Sequence, residues 1–527
     1  MRRRFKDRAY LGGYIIMLFG RVKPLDAILA TAEKRGLHRS LGAFQLTMLG
    51  VGAVIGTGIF VLTSEAAQKA GPGMMISFII AGFVCAVAAL CYSELASMVP
   101  VAGSAYTYTY AVMGELLAWM VGWALILEYA VGASAVAVGW SGYMVGQLRN
   151  LLGIEVPMEW VNGPSAGGYI NLPAVIISGL VTWLLVIGTT ESARVNAVLV
   201  CIKVAALTLF IALSLPVMNM DHFEPLMPTG FSGVAGAAAS IFFAYVGFDA
   251  VSTAAEETKN PQRNVPIGLI ASLGFCTVFY LLVSAGAIGS PLGAQPVRDA
   301  AGTLLDPGTS ALADRCRAIV AGGALEPLSC SREALAHVLR TIGWVQVGNL
   351  IGLAATLALP SVVLMMMFGQ TRVFFTMARD GLLPAKLASV HPKCRTPHVV
   401  TIVTGIATTL AAAFLPVGKL ADYSNSGTLF AFLMVAVSVL VLRRTDPGRK
   451  RPFRTPLVWL VAPAAIIGCL YLFFSLPLIA ILVLPGWGLI GLLIYFGYSR
   501  SRSYVGRGIT DVVDDAAMQP EIAKPLH

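Results

Sequence analysis

Long apolar runs separated by short polar stretches dominate this chain. Twelve of them reach or approach the ~20 residues that a membrane-spanning helix needs. They are 43–66, 74–99, 106–134, 172–189, 196–217, 232–256, 266–290, 342–376, 398–416, 424–442, 458–475 and 478–497. A Leu476–Pro477 hinge alone separates the last two. The third and eighth runs exceed the bilayer, so they are expected to tilt or to continue outside it. The runs are apolar throughout and lack the alternation of barrel strands. In lipid, backbone polar groups are then satisfied inside each helix. The pattern predicts an all-α polytopic membrane protein with twelve transmembrane helices.

Composition agrees. Of 527 residues, 57% are hydrophobic and 12% charged, about half the ~25% charge of soluble domains. That charge cannot cover the surface of a soluble multidomain enzyme, and the apolar content excludes a disordered chain. The net charge of +10 is explained by topology. With the N-terminus cytoplasmic, 28 of the 37 Lys and Arg fall on the cytoplasmic side and eight outside. Five of those eight lie in the long outer loop 291–341, which weighs little in the positive-inside rule. The expected location is the cell inner (cytoplasmic) membrane with both termini cytoplasmic, and nucleic acid is not an expected partner. The early run Tyr10–Phe19 has basic residues before it but no small-residue cleavage site after it, and it is too short to span. An interfacial helix or an upstream start codon is expected there.

Two runs carry features that a spanning helix ordinarily avoids. The first contains Gly50, Gly52, Gly56 and Gly58 within nine residues. Gly56-Thr57-Gly58 makes a poor helix and would leave free N–H groups at the positive end of an outer half-helix, a site for a carboxylate. A packing seam of small residues is the other reading. The sixth contains Phe243-Ala244-Tyr245-Val246-Gly247-Phe248-Asp249. An unwound segment here would offer carbonyls to an ammonium group. Asp249 could titrate, or cap the inner half-helix, or both. The two breaks are five runs apart, the spacing of two inverted five-helix repeats with a ligand at the midplane. This divides the chain into a cytoplasmic segment 1–41, a first repeat 42–217, a second repeat 218–442, the last two helices 443–498 and a cytoplasmic tail 499–527.

Lys203 lies within the fifth run, where an ammonium group is costly. It could act as a protonatable coupling group or snorkel to the interface. Glu115, at the start of the third run, could pair with it. Glu128 reads as structural, and Glu94, Glu256 and Glu257 as binding groups at the interface. Cys316 and Cys330, fourteen residues apart in the outer loop, could form a disulfide. No cysteine or histidine spacing suggests a metal. The chain has no G-x-S-x-G, H-E-x-x-H, Walker A or dinucleotide-binding motif, so no enzyme is expected.

The residues resemble the amino acid–polyamine–organocation superfamily. Gly52 to Phe60 fits its G-x-x-I/V-G-x-G-I-F pattern. Tyr92-Ser93-Glu94-Leu95 with Pro100 to Tyr106 fits its turn after the second helix. Gly247-Phe248-Asp249 followed by Glu256 to Pro266, Gly369 to Arg372, Arg379 to Pro384, Lys23 to Asp26, Arg443-Arg444 and Arg451 to Arg454 are similar to the cationic amino acid transporter branch, of bacterial type. The resemblance implies a LeuT-like five-plus-five inverted repeat with discontinuous helices 1 and 6. It implies an amino acid substrate, with its carboxylate on the amides of Gly56, Thr57 and Gly58. Its amino group would lie on carbonyls of Val54, Ile55, Phe243, Ala244 and Val246. Phe243 would be a gate, Lys203 a proton-linked substitute for a sodium site, and Glu115 a group needed for transport. Twelve spans and the long outer loop depart from the fourteen spans of animal members. No Asp or Glu occurs from Trp344 to Gln370 to meet a cationic side chain, so a broad or neutral range is expected. The function expected is proton-coupled secondary transport by alternating access, with protons as coupling ion and no cofactor. An uncoupled amino acid or polyamine exchanger, or a non-transporting nutrient receptor, are the alternatives. Membrane lipid is an expected partner; an accessory subunit is not specified.

Overall fold

The computed structural model describes residues 21–23, 25, 41–99, 104–188, 193–255, 258–391, 394 and 396–507. The run Tyr10–Phe19, Pro24 and Asp26 of the Lys23–Asp26 motif, Pro100–Gly103, Glu256, Glu257 and the end of the tail lie outside them.

The described residues form helices joined by turns. In chain order these are α1 (Ala43–Val54), α2 (Thr57–Phe60), α3 (Leu62–Ala70), α4 (Met74–Met98), α5 (Ser104–Met113), α6 (Glu115–Leu152), α7 (Leu172–Ile187), α8 (Ala193–Ser214), α9 (Gly230–Ile241), α10 (Ala250–Thr253) and α11 (Pro261–Ile288). Then follow α12 (Ser310–Ala321), α13 (Ala334–Thr341), α14 (Val345–Arg379), α15 (His398–Phe414), α16 (Val417–Thr445), α17 (Val458–Phe474) and α18 (Leu478–Ile494). Seven helical stretches among the described residues are long and apolar enough to cross a membrane, and five shorter apolar helices accompany them. Every one of the twelve apolar runs falls on this set. The protein is a polytopic helical membrane protein.

Several boundaries differ from the hydropathy reading. The third run was expected at 106–134, but its helix is α6, 38 residues long and starting at Glu115. Gly114, at φ 93°, breaks the backbone just before it and leaves α5 as a separate piece. Hydropathy also began the tenth run at 424, whereas α16 begins at Val417. Its first turns carry Lys419 and Asp422, which lower local hydropathy without breaking the helix. The outer loop contains α12 and α13, and Cys316 and Cys330 are disulfide-bonded within it.

Helix α6 is the centre of the bundle and packs along both α14 and α16. Its inner face is buried, Trp119 and Tyr143 included. The outward faces are inverted relative to a soluble protein. Trp183, Leu478, Leu489 and Leu493 are all exposed, as helices facing lipid require.

Candidate functional site

Both glycine-marked runs are broken. Helix α1 ends at Val54, and Ile55 adopts an extended conformation (φ −72°, ψ 97°). Gly56 follows at φ −148°, ψ −148°. The chain re-enters helix at Thr57 without a side-chain cap, and only a distortion at Val61 separates α2 from α3. The first amides of a helix have no intrahelical acceptor. Thr57 and Gly58 therefore present uncapped N–H groups at the positive end of a half-helix. The buried Thr57 Oγ1 also has no hydrogen-bond partner among the described residues.

The second break is built differently. After α9 the chain tightens into a 3-10 turn, Phe242–Tyr245. Val246 is extended, and Gly247 has φ 111°, a region that L side chains rarely enter. The short helix α10 follows.

The two breaks touch. A Cβ on Gly58 would stand 2.2 Å from the Ala244 Cα, and one on Gly247 would stand 2.9 Å from the Ala53 carbonyl oxygen. Tyr280 of α11 fixes the junction. Its hydroxyl lies 2.9 Å from the Val54 carbonyl and 2.8 Å from the Ala244 carbonyl, so its one proton is donated to either. The sequence reading overlooked Tyr280, because a tyrosine inside an apolar run carries no signal of its own. Phe243 is buried. A Cβ on Gly132 of α6 would lie 3.5 Å from its ring, 3.1 Å from Met366 Sδ and 3.2 Å from Ser424 Oγ. A Cβ on Gly56 would lie 3.4 Å from Val362. The surroundings of the breaks are thus mostly apolar, with the hydroxyls of Thr57, Tyr280 and Ser424 among them.

Asp249 occupies the N-cap position of α10, but its side chain does not cap that helix. Its Oδ2 instead accepts from Tyr129 at 3.3 Å and from Ser104 at 3.5 Å, and Oδ1 has no partner among the described residues. Glu128, next to Tyr129 in sequence, is buried with neither carboxylate oxygen hydrogen-bonded among the described residues. Asp249 is turned toward α5 and α6.

Lys203 is buried, with 2% exposure, and donates to the Gly52 carbonyl at 2.9 Å. It does not snorkel; its amine sits behind α1, two residues before the helix ends. Glu115 goes elsewhere. Its carboxylate accepts from Tyr110 at 3.1 Å, from Tyr495 at 3.0 Å and from Ser503, and it lies 3.7 Å from Arg21. The expected pairing of Glu115 with Lys203 is therefore replaced by a network at the other end of α5. The separation follows from the Gly114 break, which turns Glu115 toward residues 495–503. Nearby, Lys23 and Tyr106 both donate to Asp380, at 2.7 and 2.8 Å. Glu94 binds Arg443 through two hydrogen bonds of 2.8 and 2.7 Å and lies 3.2 Å from Arg451.

A second buried charged cluster was missed. Lys69 of α3 lies 3.2 Å from Asp422 of α16, and Ser240 of α9 hydrogen-bonds to both. Asn425 donates to the Ala239 and Ser240 carbonyls at 2.7 and 2.9 Å. The signal was available as Asp422 and Asn425 three residues apart on one helical face. The hydropathy boundary at 424 hid it.

The amino acid permease family model matches residues 45–498. The chain belongs to the amino acid permease family. It is 45% identical over 482 residues to the branched-chain amino acid permease BcaP of Bacillus subtilis, covering 91% of this chain and 97% of the relative. It is 41% identical over 490 residues to the methylthioribose transporter of the same organism, covering 92% and 99%. A vacuolar cationic amino acid transporter 4 of Arabidopsis thaliana is 35% identical over 421 residues, covering 78% of this chain and 64% of the relative. This permease-family chain thus aligns over about nine-tenths of its length with bacterial transporters and over 78% of it with a member of the cationic branch. These relatives are transporters and permeases, in keeping with the missing enzyme motifs.

Proposed function

We propose that the protein is a secondary active carrier of amino acids in the cytoplasmic membrane, working by alternating access and coupled to protons. The observation that carries this reading is the meeting of two helix breaks, the first with uncapped amides and both with carbonyls at the ends of interrupted helices. A zwitterion needs both, and every α-amino acid supplies the complementary pair. The carboxylate sits on the amides of Gly56, Thr57 and Gly58. The ammonium group sits on carbonyls of Ile55, Phe243 and Val246, and on whichever of Val54 and Ala244 the Tyr280 hydroxyl leaves open. Phe243 closes over the bound substrate. The twelve apolar runs then form a five-plus-five inverted repeat followed by two further helices, and the 28-to-8 division of basic residues puts both termini in the cytoplasm.

The pocket favours apolar side chains. Phe243, Val362 and Met366 surround the breaks, and a 45%-identical relative is named a branched-chain amino acid permease. Lys203 is the coupling group. Protonated, it holds the Gly52 carbonyl behind the first break; neutral, it loosens that hold and α1 moves. Asp249 is the second proton-linked group, tying the other break to Tyr129. Glu115 supports transport by anchoring the inner end of the bundle.

Uptake of labelled leucine, isoleucine and valine into proteoliposomes tests this. An inward pH gradient without sodium is expected to drive accumulation, with lysine and arginine competing weakly. A strict sodium requirement sinks the Lys203 role. Trans-stimulated exchange with no response to the pH gradient supports an uncoupled exchanger instead. Competition by methylthioribose but by no amino acid removes the zwitterion site.

A further inference from the structure

Along the first turns of α11 runs a cavity of about 630 Å³ that the transport site does not use. One wall carries Gln262, Arg263, Ile267 and Ile270, and the other carries Pro452 and Phe453. Ile267 and Ile270 are 40% and 38% exposed, and the same face of α11 continues outward through the exposed Val278 and Leu282. Their spacings of three, eight and four residues keep them on one apolar stripe, which in a spanning helix lies against acyl chains. The opposite wall is held in place. The Phe453 amide donates to Ser97 Oγ at 3.3 Å, the Thr455 amide donates to Glu94 at 2.8 Å, and Arg451 is buried on carbonyls of Leu442 and Asp446.

The polar end of the groove is cationic. Arg263 is exposed and has no side-chain hydrogen bond or ion pair among the described residues. Lys259, Lys450 and Arg454, close to the two walls in sequence, are exposed as well. Among the described residues no carboxylate lines the groove. Arg444 stacks over the exposed Trp459 ring at 5.4 Å; an exposed tryptophan at a helix end marks headgroup depth. An apolar trough that opens to lipid and ends in unpaired cations at that depth complements one class of molecule.

We propose that this groove binds an anionic phospholipid, with its phosphate on the Arg263 guanidinium and one acyl chain along Ile267, Ile270 and Phe453. The full-length chain, purified in detergent, is titrated with phosphatidylglycerol or with phosphatidylcholine of identical acyl chains, and its apparent Tm is followed. A ligand that binds the folded state raises Tm. Phosphatidylglycerol is expected to raise it by roughly 3–6 °C more than phosphatidylcholine, and R263Q is expected to lose that preference. R315Q, in the outer loop, is expected to keep it. An unchanged preference in R263Q, or an equal shift from inorganic phosphate alone, overturns the proposal. Independently of any variant, phosphatidylglycerol with a photoactivatable acyl chain is expected to label wild-type protein at 262–271 and 452–453. Labelling confined to other segments overturns it as well.

Discussion

The break at Ile55–Gly56 leaves the amides of a new helix uncapped, whereas the break at Val246–Gly247 runs a tight turn into extended chain. The first is an interruption between two helices, with amides left uncapped at Thr57 and Gly58. The second is a 3-10 turn that ends in an extended valine and a glycine at φ 111°. Their supports differ too. Lys203 holds the first from behind, through the Gly52 carbonyl. The second is followed by Asp249, whose carboxylate is tied to Tyr129 and Ser104. Among the described residues, Tyr280 reaches a carbonyl of each. The proposed zwitterion site thus draws on two unlike defects pressed together, each incomplete without the other.

The contact between the breaks is the most exposed to damage. Gly58→Leu, and even Gly58→Ala, places carbon 2.2 Å from the Ala244 Cα, and backbone cannot yield as a side-chain end can. Overpacking of this kind costs roughly 1–3 kcal/mol, and it falls on the site itself. Uptake in proteoliposomes is expected to drop to background for both variants. Undiminished uptake in Gly58→Leu removes the proposed carboxylate site.

Gly247→Ala tests the acceptor side. It combines a positive φ with a Cβ 2.9 Å from the Ala53 carbonyl oxygen. Strain of about 1–3 kcal/mol is expected to lower uptake roughly tenfold, less than Gly58→Ala, because that loop has turns on both sides to absorb the shift. The reverse order of severity would make the acceptor break the tighter one.

Lys203→Gln separates coupling from binding. Accumulation driven by a pH gradient is expected to vanish, while exchange between preloaded and external substrate continues. Loss of both assigns Lys203 to the integrity of α1 instead. Tyr280→Phe is the mildest change. It removes one hydroxyl shared by two carbonyls, worth about 1 kcal/mol, and is expected to raise the apparent KM about fivefold with little change in maximal rate. An unaltered KM detaches Tyr280 from the site.

Much of the molecule was legible as one-dimensional text. Hydropathy located the twelve runs because each helix crossing lipid must be apolar along its own length. Glycines marked both breaks, since Gly58 is needed by close approach and Gly247 by backbone angle as well as close approach. Lys203 stood out because charge is expensive inside an apolar run. The failures are equally physical. Glu115 was paired with Lys203 because both are ionisable, yet one glycine, Gly114, sends Glu115 to Tyr495 and Ser503. The Lys69–Asp422 cluster went unseen because its residues lie more than 350 positions apart and one of them depressed the hydropathy of its own helix.

The sequence by itself determined the solvent of this protein, the positions of its helices and the two places where helix could not continue. Those are properties of composition over a few turns. Only the tertiary structure decided that the breaks touch, that Tyr280 spans them and that Asp249 meets Tyr129 and Ser104. Such pairings join residues from distant segments, and they are chosen by the packing of whole helices rather than by anything written beside either residue.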